Sequence, residues 1–242
     1  MADTVSADAV ESAARAGRRV VFWSSALLTV LGIAYAGVLG AAAGTGSLSL
    51  PPPEPIASYA AIDVIATAIL LVVLVVGIDT ASPGSRPYSL LAVVFTAMFA
   101  LAVTINRFIE LTIVRQGVSA GDVADLRRFL PYDSHSAMFA LEILGWGFFL
   151  GLAALCLVPV LRGPGMHRWI AWLFGIYGAL GVVSAACLVL DSPMTAIGFV
   201  AWGGVLPLAA ALMAIAFRPQ SGNNGPRQGE QSRVARTKPV LH

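Results

Sequence analysis

Three strongly polar side chains lie close together inside an otherwise apolar segment. Asn106, Arg107 and Glu110 interrupt the run from Leu90 to Val114, whose composition is typical of a membrane-spanning helix. On a helix, Asn106 and Glu110 share a face and Arg107 lies beside them. Polar groups are costly at membrane depth, so they normally point into a helix bundle and find partners there. This segment is therefore the first candidate for a functional site.

Polar side chains from other apolar segments are expected at a similar depth. Asp63 lies near the start of the second apolar segment, and His135 and Glu142 lie near the start of the fourth. Trp146 follows Glu142 by one helical turn. We expect these residues to form one polar layer with those of the third segment.

An arginine between two carboxylates suits either ligand binding or acid–base chemistry. Arg107 can pair with Glu110 on its own helix or with Glu142 across the bundle, and it would hold at least one of them ionised. Glu142 and Glu110 are the candidate catalytic acids. The predicted binding residues are Asp63, Asn106, Arg107, Glu110, His135, Glu142 and Trp146.

A purely structural interpretation competes with this one. If the third span ends near Ile105, residues 106–110 emerge into the headgroup zone, and residues 143–161 alone are long enough to cross about 30 Å of hydrocarbon. The polar layer is then an interfacial ion-pair network that holds the helices together, and His135 is an ordinary interfacial histidine. The sequence leaves both interpretations open.

Several kinds of site are excluded by composition. Cys156 and Cys187 lie inside apolar runs, without the Cys or His spacing of a metal site, so we expect no metal and no cofactor. The only lysine, Lys238, lies in a polar tail, which excludes a Schiff base within the bilayer. A formal charge of +2, with basic residues near the chain ends, argues against nucleic acid as a partner.

The elements that position these residues are predicted from hydropathy. The chain is 57% hydrophobic and 12% charged, whereas soluble domains carry about 25% charged residues. Apolar runs of about twenty residues predict an all-α integral membrane protein with six spans in one antiparallel bundle. The predicted spans are residues 20–43, 59–78, 88–114, 135–161, 169–190 and 195–217.

The segments outside the spans are polar or irregular. Residues 1–19 are predicted to be a cytoplasmic segment, and the first span is too long for a signal-peptide core of about 7–15 residues, which predicts a retained anchor. Apolar residues at helical spacing predict a short interfacial helix in the 115–134 loop. Residues 218–242 are predicted to be a disordered basic tail in the cytoplasm.

The distribution of positive charge predicts the orientation of the spans. With six spans, the side that holds both termini has eleven basic residues: Arg15, Arg18, Arg19, Arg86, Arg162, Arg168, Arg218, Arg227, Arg233, Arg236 and Lys238. The other side has three, Arg115, Arg127 and Arg128. The positive-inside rule therefore places both termini in the cytoplasm and the polar layer near the outer side of a cell (cytoplasmic) membrane. Fourteen Arg against one Lys is typical of a GC-rich bacterial genome.

Three classes of function fit this layout. The first is a protein that binds a lipid, another hydrophobic molecule or a membrane-protein partner in a polar-lined pocket near the outer side. The alternative is a membrane-embedded enzyme that protonates an isoprenoid or lipid, as small membrane terpene cyclases do, although only architecture and chemistry carry that comparison. A transporter ranks third, because the inner part of the bundle offers almost no polar groups along a route.

Overall fold

Six long helices account for most of the computed structural model, which describes residues 2–44, 56–121, 126–130 and 135–219. They are α1 (Ala2–Gly44), α2 (Ile56–Ala81), α3 (Arg86–Ala120), α4 (Ala137–Val160), α5 (Met166–Val189) and α6 (Pro193–Ala216). No strand occurs in the described ranges. Each helix contains a stretch long and apolar enough to cross a membrane, which confirms the predicted all-α class with six candidate spans.

Two helices extend well beyond their predicted ends. The polar residues before Val20 continue α1 without a break, so the cytoplasmic segment predicted for residues 1–19 is helical from Ala2. Helix α3 continues past Val114 to Ala120 and ends at Gly121, which takes a left-handed conformation with φ of 80°. Glycine adopts this conformation without a steric penalty, so it commonly terminates a helix.

The interfacial helix predicted for the 115–134 loop falls partly outside the described residues. Of its described residues, 115–120 continue α3, and 126–130 contain a short 3₁₀ turn, Arg127–Phe129. Leu126 is buried, and a Cβ atom at Gly117 would clash with its side chain. This part of the loop therefore folds back onto the end of α3. Most of the predicted C-terminal tail, residues 220–242, also lies outside the described residues.

The helices pack in chain order, and α6 returns to contact α1. Their shared core is formed by large apolar side chains such as Phe99, Ile143, Leu157, Tyr177 and Met213. Glycines bring α4 and α5 close together: a Cβ at Gly181 would lie 2.7 Å from the carbonyl oxygen of Gly147, and one at Gly178 would lie 2.7 Å from that of Gly151. Gly178 and Gly181 of α5 thus form a packing surface for α4.

Three helices contain a π-helical turn, which the sequence does not predict. These turns are Glu110–Val114 in α3, Ile143–Phe149 in α4 and Ala201–Val205 in α6. In a π turn the backbone bonds five residues back instead of four, which changes the direction of the side chains that follow. Such turns are frequent at functional sites. Those of α3 and α4 lie at the predicted polar layer.

Candidate functional site

A buried ion-pair cluster connects α3 with α4. The guanidinium of Arg107 donates through Nη1 to Oε2 of Glu110 over 2.6 Å and through Nη2 to Oε1 of Glu142. Arg107 is 4% exposed and Glu110 is 5% exposed, so the pair faces the interior of the helix assembly. One side chain therefore holds a carboxylate on its own helix and another on the neighbouring helix.

Asn106 completes the connection between the two helices. Its Nδ2 donates to Oε2 of Glu142 over 2.6 Å, so both oxygens of that carboxylate accept a hydrogen bond from α3. Asn106 is fully buried. We call Asn106, Arg107, Glu110 and Glu142 the polar cluster. Asn106, Arg107 and Glu110 therefore face neighbouring helices, which both the binding-pocket and the interfacial ion-pair interpretations allow.

The polar cluster contains more negative than positive groups. One guanidinium faces two carboxylates, so the ionised cluster would carry a formal charge of +1 − 2 = −1. Tyr35 on α1 lies within electrostatic range of Arg107, which brings a third helix to the site. A surplus buried charge is costly, so a cluster of this composition favours a proton, a counter-charge or donor groups nearby.

Two buried polar atoms of the cluster have no hydrogen-bond partner among the described residues. They are Oδ1 of Asn106 and Nε of Arg107. Buried polar atoms in proteins are paired in the great majority of cases, because an unpaired one costs about 1–3 kcal/mol. One acceptor and one donor of the cluster thus take no part in joining the helices and could bind another group.

An aromatic group follows the polar cluster along α4. Trp146 lies one turn after Glu142, and its ring contacts Phe99 in a T-shaped arrangement with centroids 4.8 Å apart. The ring of Trp202 on α6 lies 6.0 Å from that of Trp146, centroid to centroid, and 5.1 Å from that of Phe199. We call Phe99, Trp146, Phe199 and Trp202 the aromatic group.

The π turn of α4 is braced by the neighbouring helix. The hydroxyl of Tyr177 on α5 donates to the backbone carbonyl oxygen of Trp146 over 2.9 Å. Tyr177 is 1% exposed, so its hydroxyl needs a partner. This bond fixes the π turn that carries Trp146. Gly145 and Gly147 within the same turn leave room for neighbouring helices: Cβ atoms there would meet Val103 and Gly181.

The remaining predicted binding residues are not part of this arrangement. Asp63 is half-buried on α2 and does not join the polar cluster. His135 is exposed just before α4, and Ser136 instead caps that helix by accepting the backbone N–H of Phe139 over 3.0 Å. Any role of Asp63 and His135 in binding stays a prediction, and so does catalysis by Glu142 or Glu110.

Sequence reasoning missed three contributors to the site: Tyr35, Tyr177 and Trp202. All three lie in apolar helices, where an aromatic residue is the ordinary occupant of a core or lipid-facing position. Only the positions of neighbouring helices distinguish them from the other aromatic residues, so the sequence offered no signal for them.

Within the described ranges, no group of three His, Cys, Asp or Glu side chains could hold a metal ion. The chain matches no family model, no curated protein and no solved structure.

Proposed function

We propose that this chain is a multi-pass membrane protein whose six helices cross the cytoplasmic membrane in an antiparallel bundle, with both termini in the cytoplasm. Each candidate span comprises 24–35 residues, and about twenty suffice to cross the hydrocarbon core. Large apolar side chains are exposed on the outer faces of all six helices, which suits contact with lipid.

Contacts between helix ends support the antiparallel order. A Cβ at Gly17 in α1 would lie 2.8 Å from the backbone N of Ala81 at the end of α2, so Arg15, Arg18 and Arg19 lie on the same side as the turn before α3. His167 at the start of α5 contacts Phe217 just after α6, with ring centroids 5.5 Å apart. Each contact brings the basic residues of two segments together. In the proposed antiparallel bundle all of them fall on one side, which the positive-inside rule assigns to the cytoplasm.

The function we propose is the binding of a hydrophobic molecule that carries a polar group, near the outer side of the membrane. The observation that carries this proposal is the polar cluster with its unpaired acceptor on Asn106 and its unpaired donor on Arg107. A cluster that served only to join helices would be expected to satisfy its buried atoms, since partly satisfied networks are costly. A polar group of a ligand would supply the missing partners.

Acid catalysis fits the same geometry less well. Glu142 accepts hydrogen bonds at both carboxylate oxygens, from Arg107 and from Asn106. Both oxygens are thus already held by donors on α3. Glu110 faces the same guanidinium. We therefore place ligand binding ahead of protonation of an isoprenoid or lipid.

The test compares the molecules that co-purify with variants of the cluster. Glu110→Gln and Glu142→Gln keep the shape of each side chain, and Glu11→Gln in the exposed pair with Arg15 is the matched control. We expect wild type and E11Q to carry the same enriched hydrophobic molecule, measured by mass spectrometry against the bulk lipid, and E142Q to lose it while remaining folded. If wild type carries no enriched molecule and the cluster variants only lower the melting temperature, the cluster is structural and the proposal fails.

A further inference from the structure

Two buried indole N–H groups in the aromatic group have no hydrogen-bond acceptor among the described residues. They belong to Trp146 and Trp202, and in each case Nε1 itself is shielded from solvent. Trp146 as a whole is 7% exposed. A buried tryptophan usually finds an acceptor for its N–H, so two unpaired indoles beside each other require an explanation.

Other aromatic rings surround these indoles in the described part of the chain. The described ring contacts are with Phe99, with Phe199 and between the two indoles themselves. The nearby carbonyl oxygen of Trp146 already accepts the hydroxyl of Tyr177. The centroids of the two indole rings lie 6.0 Å apart, so one small acceptor group of a ligand could serve both N–H donors.

The surface of α6 beside Trp202 is unobstructed. Gly203 and Gly204 follow Trp202 in its π turn, both are exposed, and a Cβ atom at either position would meet nothing within 4 Å. Trp202 is itself partly exposed. In the proposed topology this face of α6 borders lipid, so a hydrophobic molecule can approach Trp202 from within the bilayer.

Charge limits which acceptor fits. Glu142 lies one turn before Trp146, about 6 Å along the helix axis, and the ionised polar cluster carries a formal charge of −1. A carboxylate or phosphate near the indoles would be repelled by this charge in a medium of low dielectric constant. A cation could contact the aromatic ring faces but would leave both indole N–H donors unpaired.

We infer that Trp146 and Trp202 bind an uncharged oxygen atom of the proposed hydrophobic ligand, a hydroxyl or a ketone, between α4 and α6. The inference rests on the proposed binding function and adds a second polar contact of the same ligand, one turn beyond the polar cluster. The two indole N–H groups donate to the ligand oxygen, and the ligand's hydrocarbon chain extends past Gly203 and Gly204 toward lipid.

The test observes the indole N–H groups directly by ¹H–¹⁵N NMR of protein labelled at tryptophan and held in lipid nanodiscs. Five indole signals are expected, from Trp23, Trp146, Trp169, Trp172 and Trp202, and single Trp→Phe variants assign them. The probes are 1-dodecanol, 2-dodecanone, dodecanoate and dodecane at equal mole fractions in the lipid. Trp23, Trp169 and Trp172 are 63%, 68% and 60% exposed and serve as internal controls.

Dodecanol and dodecanone should move the proton signals of Trp146 and Trp202 downfield, whereas dodecane and dodecanoate should not. Gly203→Leu, which obstructs the approach without altering either indole, should abolish the shifts. The inference is wrong if all four probes shift the two indole signals equally, or if only dodecanoate shifts them. It is also wrong if no probe shifts them and both N–H groups only exchange their protons with water. If the NMR test fails in one of these ways but E142Q loses the molecule that co-purifies with wild type, the proposed binding function stands. Only the inferred ligand class and its site at the indoles are then wrong.

Discussion

Arg107 has the side-chain chemistry that this position requires. Its planar guanidinium presents donors in a fixed fork, which lets it bind Glu110 and Glu142 at the same time. A lysine has a single ammonium group at the end of a flexible stem and cannot reproduce that geometry. The fork fixes the separation of α3 and α4 at the level of the cluster, while Asn106 fixes the orientation of the second carboxylate.

Replacing Arg107 by methionine should destabilise the protein strongly. Two carboxylates would then share a buried site without a counter-charge, and breaking a buried ion pair costs about 3–5 kcal/mol. Arg15→Met is the matched control, because Arg15 pairs with Glu11 over 3.9 Å with both side chains exposed. Exposed pairs contribute at most about 1 kcal/mol. Thermal unfolding in detergent measures the difference, and equal melting temperatures for the two variants would contradict the buried geometry.

Adding Glu142→Gln to Arg107→Met should recover part of the lost stability. The double variant has one buried carboxylate fewer, and the amide side chain that replaces Glu142 retains an oxygen that accepts from Asn106. A double variant less stable than Arg107→Met alone would mean that the negative charge is not the source of the instability.

At the residue scale, the sequence predicted the members of the cluster but not their surroundings. Arg107, Glu110 and Glu142 stand out because charged side chains are rare inside apolar runs. Helical spacing predicted the pairing of Arg107 with Glu110, and matching depth predicted Glu142 as the other partner. Asp63 and His135 satisfied the same criterion, yet Asp63 is half-buried on α2 and His135 is exposed just before α4. Depth along a helix is readable from the sequence, whereas the direction in which a side chain points around the helix depends on its neighbours.

At the element scale, hydropathy determined the number of helices and missed their irregularities. All six apolar runs are helical, as expected for segments whose backbone groups would have to be satisfied internally in an apolar medium. Each π turn in α3, α4 and α6 contains one residue more than a regular α-helical turn. No rule based on composition predicts where that extra residue lies. The π turns matter because they carry Glu110, Trp146 and Trp202.

The glycines between α4 and α5 yield a prediction for the element scale. Gly181→Ala would place a Cβ 2.7 Å from the carbonyl oxygen of Gly147, so the two helices must separate. Overpacking of this kind costs about 1–3 kcal/mol. Gly203→Ala on α6 is the matched control, because nothing lies within 4 Å of its Cβ and alanine favours the helix by about 1 kcal/mol.

Thermal unfolding should therefore rank G203A at or above wild type and G181A below it. The separation of α4 from α5 would also weaken the bond between Tyr177 and the Trp146 carbonyl. If G181A is as stable as G203A, the close approach of the two helices is incorrect.

At the scale of the whole molecule, helix length predicts which helix ends extend beyond the membrane, and hydropathy alone does not. Helix α3 has 35 residues, which at 1.5 Å per residue span about 50 Å, more than the roughly 30 Å of hydrocarbon in a bilayer. Its two ends should therefore emerge from opposite faces of the membrane. Helix α1, with 43 residues, is longer still, and its basic residues lie in its first half.

The two ends of α3 offer the most direct test of the proposed topology. Single cysteines at Gly84 and Ser119, both exposed, would be introduced into a chain with Cys156→Ala and Cys187→Ala. A membrane-impermeant maleimide applied to intact cells should label Ser119→Cys only, and Gly84→Cys should become reactive once the cells are opened. The reverse labelling pattern would place both termini outside the cell. The polar cluster would then lie near the cytoplasmic face of the membrane. Labelling of both positions in intact cells would show that α3 does not cross the membrane. The proposed route of the ligand from the bilayer to its site would then be wrong.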